Sequence, residues 1–376
     1  MRVGVVGGGQ LGRMLGLAGI PLGMRFRFLE PTHPCPAGEC GEVITRAYDD
    51  PLGLERFVDG LSLATYEFEN VPAQAAAWIS ERVPLHPSTR SLTVSQDRIV
   101  EKRAFEALGI PVQPFAAVST PEDARDAARR IGLPCVLKTR RLGYDGKGQC
   151  VIRAVGAEGI EATVVAAWES LGSAPCILEA FVPHTAEVSM IAVRAKPRGC
   201  EAQTAFYPLT ENVHRRGILW SSVAPAPCDP DGKLDSVARG FVQRLVDSLD
   251  HVGTIAVEFF VTEQGLIANE LAPRVHNSGH WTIDGAHTSQ FENHLRAIAS
   301  WPLGSPTLCV GACAMINLVG LSIEPSQLLA RDGARVHLYG KDQRPGRKLG
   351  HVTLCADTPA ELAPRLARLE SLVEWA

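Results

Sequence analysis

The sequence contains no apolar run approaching the roughly 18 residues needed to cross a bilayer, so no membrane partner is expected. Nor has it a basic footprint: 376 residues carry a formal charge of −4, and nucleic acid is not an expected partner. None of the 10 cysteines forms a Cys-x-x-Cys pair, the closest spacings being Cys35 with Cys40 and Cys309 with Cys313. That removes the usual zinc and dithiol spacings. Cys135, Cys150 and Cys176 sit in apolar runs, where a thiol behaves as a small buried hydrophobe. Internal repeats and low-complexity linkers are absent, and the N-terminus enters a strand-like run, Val3–Val6, without a signal-peptide layout. A reduced, cytoplasmic protein is the expectation.

What is present is too long for one ordinary domain. The hydrophobic fraction of 45 % and charged fraction of 21 % are those of a soluble globular chain. Residues 1–95 alternate strand and helix: runs at Val3–Val6, Arg25–Leu29 and Leu63–Phe68, with an apolar helix from about Gln10 to Ala18. This rhythm predicts a parallel sheet with helices on both faces. A helix follows, with Ser95 as its cap and Asp97 in its first turn, and stops at Leu108-Gly109-Ile110-Pro111. Thr120-Pro121-Glu122 starts another, which stops at Ile131-Gly132-Leu133-Pro134. Strands are expected at Cys135–Thr139, Cys150–Arg153, 176–182 and 187–195, hairpins at 252–272 and 336–355, and a closing helix from about Pro359 to Val373. The class is α/β at the start and α+β thereafter.

Two glycine loops invite phosphate. Gly7-Gly8-Gly9-Gln10-Leu11-Gly12, with Glu30 about 20 residues on, has the layout of a dinucleotide fingerprint. It suits NAD, any other phosphate at a helix N-terminus, or a bare tight turn; a substrate phosphate is preferred, since no group suited to hydride transfer stands out downstream. The second loop, Gly143-Tyr144-Asp145-Gly146-Lys147-Gly148-Gln149, follows a strand ending in Lys138 and the cations Arg140 and Arg141. Its N–H groups can wrap phosphates, and a nucleotide would supply the counter-charge for Lys138. It lacks the Gly-Lys-Ser/Thr ending of a P-loop. Glu179 with Ala180-Phe181-Val182 offers a backbone edge for adenine, and Glu187 an acceptor for ribose hydroxyls.

The sharpest signal is a hairpin. With Glu263, Gln264 and Gly265 as a three-residue loop, Thr262 pairs with Leu266 and Glu258 faces Glu270. Facing side chains have Cβ atoms about 4.5–5.5 Å apart. Two carboxylates there, among Phe259, Phe260 and Leu271, repel and are desolvated. Magnesium, which favours one or two carboxylates plus nucleotide phosphates, resolves both problems, and Asn269 offers one more oxygen.

In order, Lys138, the second glycine loop, Glu179, Glu187, Glu258 and Asn269-Glu270 resemble an ATP-grasp ligase. The run Asn269-Glu270-Leu271-Ala272-Pro273-Arg274-Val275-His276-Asn277-Ser278-Gly279-His280-Trp281-Thr282 is more specific. With Gly9-Gln10-Leu11-Gly12-Arg13-Met14 and Arg344-Pro345-Gly346-Arg347-Lys348-Leu349-Gly350-His351, it resembles the N5-carboxyaminoimidazole ribonucleotide synthase family over the whole chain. The block at Arg274–Thr282 argues against glycinamide ribonucleotide ligases and other ATP-grasp purine enzymes. An NAD-binding oxidoreductase would rest on the first glycine loop alone.

The resemblance implies a Rossmann-like pre-ATP-grasp domain at 1–95, an ATP-grasp domain at 96–300 with a flap at about 112–180, and a small β-rich C-terminal domain at 301–376. It implies a ligase that carboxylates 5-aminoimidazole ribonucleotide with ATP, Mg2+ and bicarbonate through carboxyphosphate, and a homodimer. It assigns ATP to Arg98, Lys138, Gly143–Gln149, Glu179, Ala180, Phe181, Val182, Glu187, His214, Asn269 and Glu270. Magnesium falls to Glu258 and Glu270, and the ribonucleotide to Gln10, Tyr144, Asp145, Arg274, His276, Asn277, Ser278, Lys341, Arg347 and Lys348. Asp145 and Arg274 are the catalytic candidates. One residue departs: Leu142 stands where the family usually has glycine, and leucine does not enter positive φ cheaply.

Overall fold

The computed structural model describes residues 1–143, 148–154, 159–320 and 323–373. Its strands are grouped in three sheets. The first holds β1 (Arg2–Val6), β2 (Arg25–Leu29), β3 (Gly41–Ile44) and β4 (Leu63–Tyr66), all parallel in the order β3-β2-β1-β4. β1, β2 and β4 are buried over nearly their whole length, which is why they read as continuous apolar runs. The short β3, half-buried, escaped the sequence reading. The chain leaves the carboxyl ends of β1 and β4 at Gly7 and Glu67, beside the cleft described below.

The sheet gives way to two helices separated by a break. Thr89–Gln96 is capped by Ser88, and Arg98–Ala107 by Asp97, whose Oδ1 accepts from Ile99 N–H at 3.1 Å. The expectation that Ser95 caps and Asp97 occupies the first turn is therefore off by one helix: Ser95 lies in the earlier helix and Asp97 is itself the cap. The stop at Gly109 holds, with φ +63°.

The second sheet is antiparallel, in the order β5 (Phe115–Val118), β8 (Cys176–Ala180), β6 (Cys135–Thr139), β7 (Gln149–Ile152). Helices Pro121–Ile131 and Gly159–Ser170 pack over it around Val118, Leu137, Val164, Trp168 and Leu178. This is the flap, and its β6–β7 connection carries the second glycine loop.

The third sheet holds nine strands: β9 (Ala186–Ala195), β10 (Gln203–Phe206), β11 (Thr210–Arg215), β12 (Ile218–Ala224), β13 (Gly253–Thr262), β14 (Gly265–Ala272), β15 (Ala312–Val319), β16 (Ala334–Leu338) and β17 (Lys348–Ala356). The path runs β14-β13-β9-β11-β12-β15-β17-β16, with β10 on β9. The strands of the expected C-terminal unit continue this sheet, since β12 pairs directly with β15, Ser221 opposite Ile316. Helix Lys233–Ser248 covers one face through Val242, Leu245 and Val246, packed on Ile255, Val257 and Phe259.

Entry into β15 is close-packed. A Cβ on Gly311 would lie 1.8 Å from the Asp357 carbonyl oxygen, so only glycine lets the chain pass β17 there. Gly311→Ala is expected to lower stability by about 1–3 kcal/mol through overpacking. Gly240→Ala, at an exposed helical position with nothing within 4 Å, is expected to raise it by up to about 1 kcal/mol. Urea unfolding of the two variants checks both signs.

Candidate functional site

The β13–β14 hairpin brings Glu258 opposite Glu270 by a route different from the predicted one. Thr262 pairs with Gly265 across a two-residue turn, not with Leu266, and the ladder continues as Val261–Leu266, Phe260–Ile267 and Phe259–Ala268. The register then shifts at a β-bulge, which leaves Asn269 unpaired and restores Glu258 opposite Glu270. The turn is one residue shorter than expected, and the bulge absorbs the difference. Bulges re-aim side chains beside sites. Here the carbonyls of Ala268 and Asn269 accept from Lys102 Nζ at 3.0 and 2.6 Å, and Asn269 Oδ1 meets Lys138 Nζ at 3.5 Å.

Around the carboxylates lies a network of paired charges. Glu270 Oε2 is 2.9 Å from Arg98 Nη1. Burial would raise its pKa, but Arg98, then Lys138 and His276, hold it below the usual range. Glu258 goes the other way, raised by burial and then by Glu270, with His214 opposing. Glu179, 1 % exposed, sits between Lys138 at 2.6 Å and Lys102 at 3.3 Å. These cations overcome its burial and hold it well below the usual carboxylate range. The strand end at Lys138 therefore carries its own counter-charge, Glu179, and does not depend on a nucleotide for one.

Nor is Glu179 on an open edge: β8 is paired on both sides, with Phe115 and Val136 opposite it. The N–H groups of Ala180 and Phe181 donate to Pro114 and Pro134 carbonyls. Two of the N–H groups of the backbone edge expected for adenine are thus already used within the protein. Apolar Val136, Val151, Phe181, Val182, Leu219 and Phe260 make that end of the cleft suited to a flat base. Glu187 Oε2 lies 2.7 Å from His214 Nδ1 as an ion-pair contact.

The far end of the cleft, about 640 Å³ in all, is lined by Gln10, Glu67, Glu69, Arg274, His276, Asn277 and Lys348. Arg274 Nε donates to Glu69 Oε2, and Lys341 Nζ to Gln10 Oε1. Burial, and next Arg274, keep His276 uncharged. Both amide atoms of Asn277 are buried without a protein partner among the described residues, which marks a place for a polar ligand. Ser278 does not face the cleft: it is fully buried, bonded to Ser189 Oγ at 2.7 Å and His276 Nδ1 at 2.9 Å. Arg347 lies off the cleft wall, donating to the Asp342 carbonyl.

The first glycine loop is not an open phosphate cradle. Gly9 N–H and Gly12 N–H donate to the two oxygens of Glu67, and Gly8 N–H to Glu30 Oε2 at 2.9 Å. An internal carboxylate already answers the positive end of helix Gln10–Gly19, and a phosphate beside Glu67 and Glu30 would be repelled. Neither a substrate phosphate nor a dinucleotide fits those amides as they stand.

Gly143 and Gln149 line the cleft, and Gly148 carbonyl accepts from Thr139 N–H at 2.8 Å. Tyr144, Asp145, Gly146 and Lys147 lie outside the described residues. Sequence reasoning missed Glu101 and Lys102, 2 % and 1 % exposed, and the Asp97–Arg140 pair at 2.7 Å. Arg98, Glu101 and Lys102 share one helical face, and three charges on a face packed against β14 were the available signal.

His214 generates a pH prediction. Burial lowers its pKa, but the Glu187 hydrogen bond and then Glu258 outweigh that and raise it from 6.5 to about 9. A pKa raised by folding gives stability that is complete below the unfolded value and lost as pH rises through the folded one. Urea midpoints are expected to fall as pH goes from 6.5 to about 9, and His214→Gln is expected to lose that part of the slope.

Comparison with known proteins gives the frame. Family models match as ribonucleotide synthetase preATP-grasp domain over residues 1–96, ATP-grasp domain over 103–291, and phosphoribosylaminoimidazole carboxylase C-terminal domain over 313–365. The N5-carboxyaminoimidazole ribonucleotide synthase of Pseudomonas aeruginosa is 51 % identical over 375 residues, covering 100 % of both chains. That of Bacillus subtilis is 37 % identical, covering 93 % of this chain and 90 % of its own. The Thermus thermophilus synthetase structure superposes with TM-score 0.92 at 48 % identity, covering 100 % of this chain and 99 % of its own. The Aspergillus clavatus enzyme, in complex with ADP and 5-aminoimidazole ribonucleotide, does so with TM-score 0.89 at 28 % identity over 99 % and 98 %. The chain belongs to the N5-carboxyaminoimidazole ribonucleotide synthases, ATP-dependent ligases of purine biosynthesis built on the ATP-grasp fold.

Proposed function

We propose that this chain carboxylates the exocyclic amine of 5-aminoimidazole ribonucleotide with bicarbonate, through carboxyphosphate, in the single cleft between flap, hairpin and N-terminal sheet. The observation that carries this is one continuous strand end. Glu270 lies in the charged network, and Arg274, His276 and Asn277 follow it on the same cleft wall. The reaction needs no protein nucleophile, so the protein's contribution is positioning and charge stabilisation.

The base of ATP lies against Phe181, Val182 and Phe260, with Glu187 toward its ribose. Lys138, Arg98, Asn269, protonated His214 and the N–H groups of Gly143, Gly148 and Gln149 serve its phosphates. Two facing carboxylates, one raised in pKa by burial and then by the other, fit a divalent cation. Among the described residues no cluster of three or more His, Cys, Asp or Glu could hold a metal. A two-carboxylate site completed by phosphate oxygens is the preference of magnesium. When bound there, magnesium neutralises charge on the transferring phosphoryl group.

A bicarbonate oxygen then attacks the γ-phosphorus, ADP leaves, and carboxyphosphate forms. Arg274, fixed by Glu69, stabilises this anion. Its breakdown to phosphate delivers CO₂ to the substrate amine, held beside Asn277, and Asp145 takes the amine proton. Tyr144, Gln10, Lys341 and Lys348 complete the ribonucleotide site, the cations serving its phosphate; Arg347, off the cleft wall, is left out of it. Ser278 acts at one remove, orienting His276. A homodimer is part of this reading on family grounds alone. The cytoplasm is too, and ten unpaired thiols suit its reducing chemistry.

Glu258→Gln and Glu270→Gln are each expected to cut ADP formation by about 10³-fold or more while leaving the chain folded. Asp145→Asn is expected to bind both substrates but to lose carboxylated product. Chromatographic assay of ADP and product, with circular dichroism for the fold, checks all three. Near-normal turnover in Glu270→Gln would refute the metal assignment, and in Asp145→Asn the proton-transfer role.

A further inference from the structure

Leu142 is unfavourable twice over. Its φ is +64°, in the left-handed region where a Cβ crowds the following carbonyl, and its side chain is 71 % exposed, more than any other large apolar side chain among the described residues. Glycine or asparagine would relieve the first cost, and any polar residue the second. Among the described residues four other non-glycine residues have positive φ (Ser173, Arg216, Asp250 and Ser300). All four are polar, and none lines the cleft, whereas Leu142 does.

The backbone leading into Leu142 is anchored at Arg140. Arg140 N–H donates to the Pro175 carbonyl at 2.9 Å, its carbonyl accepts from Arg98 N–H at 3.1 Å, and its guanidinium grips Asp97. Strain kept beside an anchored segment, at a site, points to a use there. Leu142 lies in sequence between Arg141 and Gly143, and Lys138, Arg140, Arg141 and Gly143 line the same cleft, where the reading above puts the phosphates. An apolar side chain among those cations serves one purpose that a glycine cannot, the exclusion of water.

We infer that Leu142 shields carboxyphosphate from water, and so couples ATP cleavage to carboxylation. The inference rests on the carboxyphosphate reading above. The reaction it suppresses is hydrolysis. Water oxygen bonds to phosphorus, and the bridging P–O bond breaks with its electron pair staying on bicarbonate. The two water protons remain on phosphate, so ATP is spent with no product.

The test compares wild type with Leu142→Gly, Leu142→Asn and Leu142→Met, measuring ADP and carboxylated product in one reaction, and Tm. Gly and Asn relax the backbone, so Tm should hold or rise while ADP per product climbs about threefold or more. Met keeps both the strain and the apolar cover, and should stay near the wild-type ratio. A wild-type ratio in Gly and Asn, or equal uncoupling in Met, would overturn the inference. Wild-type ADP release that needs neither bicarbonate nor ribonucleotide would instead overturn the ligase reading beneath it, and this inference with it.

Discussion

Two carboxylates facing each other across one antiparallel pair are the constraint around which the cleft is organised. At roughly 5 Å and an effective dielectric near 20, they repel by about 3 kcal/mol. Glu270 is answered within the protein by Arg98, and Glu258 by the weaker neighbours His214 and Lys348, with uncharged His276 3.5 Å away. The pair is therefore satisfied on one side and poised on the other. That asymmetry suits a site meant to receive a cation together with a polyphosphate: fully paired carboxylates would have no affinity to spare.

The same principle recurs in the surrounding charges. Lys102 spends its three protons on Gln113 and on the two carbonyls at the bulge, with Glu179 3.3 Å away as its charge partner. Buried ion pairs of this kind add little net stability, because desolvation offsets attraction. What they fix is geometry. Lys102 ties helix Arg98–Ala107 to the bulge that aims Asn269 and Glu270. Asp97 with Arg140 ties that helix to the flap, and Glu69 with Arg274 ties the N-terminal sheet to the strand end. Each element contributing to the cleft is thereby held to another through a charge, not through apolar packing alone.

Much of this was legible in the sequence, for reasons that can be named. β13 and β14 show alternation and a polar turn, and the Glu258–Glu270 pairing follows from the register. The turn itself was misread, because Gly265 serves as a strand residue here. A bulge leaves no compositional mark, so the correct pairing emerged from two offsetting errors. Partners such as Lys102 and Ala268, 166 residues apart, are set by tertiary packing that no local pattern records. The first glycine loop shows the converse limit. Its geometry was readable, but its occupant, Glu67, is 55 residues from Gly12, and only the fold reveals that the loop's amides are already used.

Chemically, bicarbonate is the proposed nucleophile toward the γ-phosphorus, in a cleft whose own residues supply charge and position. Isotope transfer tests that claim most directly. With uniformly ¹⁸O-labelled bicarbonate, ATP and 5-aminoimidazole ribonucleotide, one labelled oxygen should appear in each inorganic phosphate released, matched to carboxylated product. Unlabelled phosphate, with product still formed, would contradict carboxyphosphate and with it the role given to this cleft.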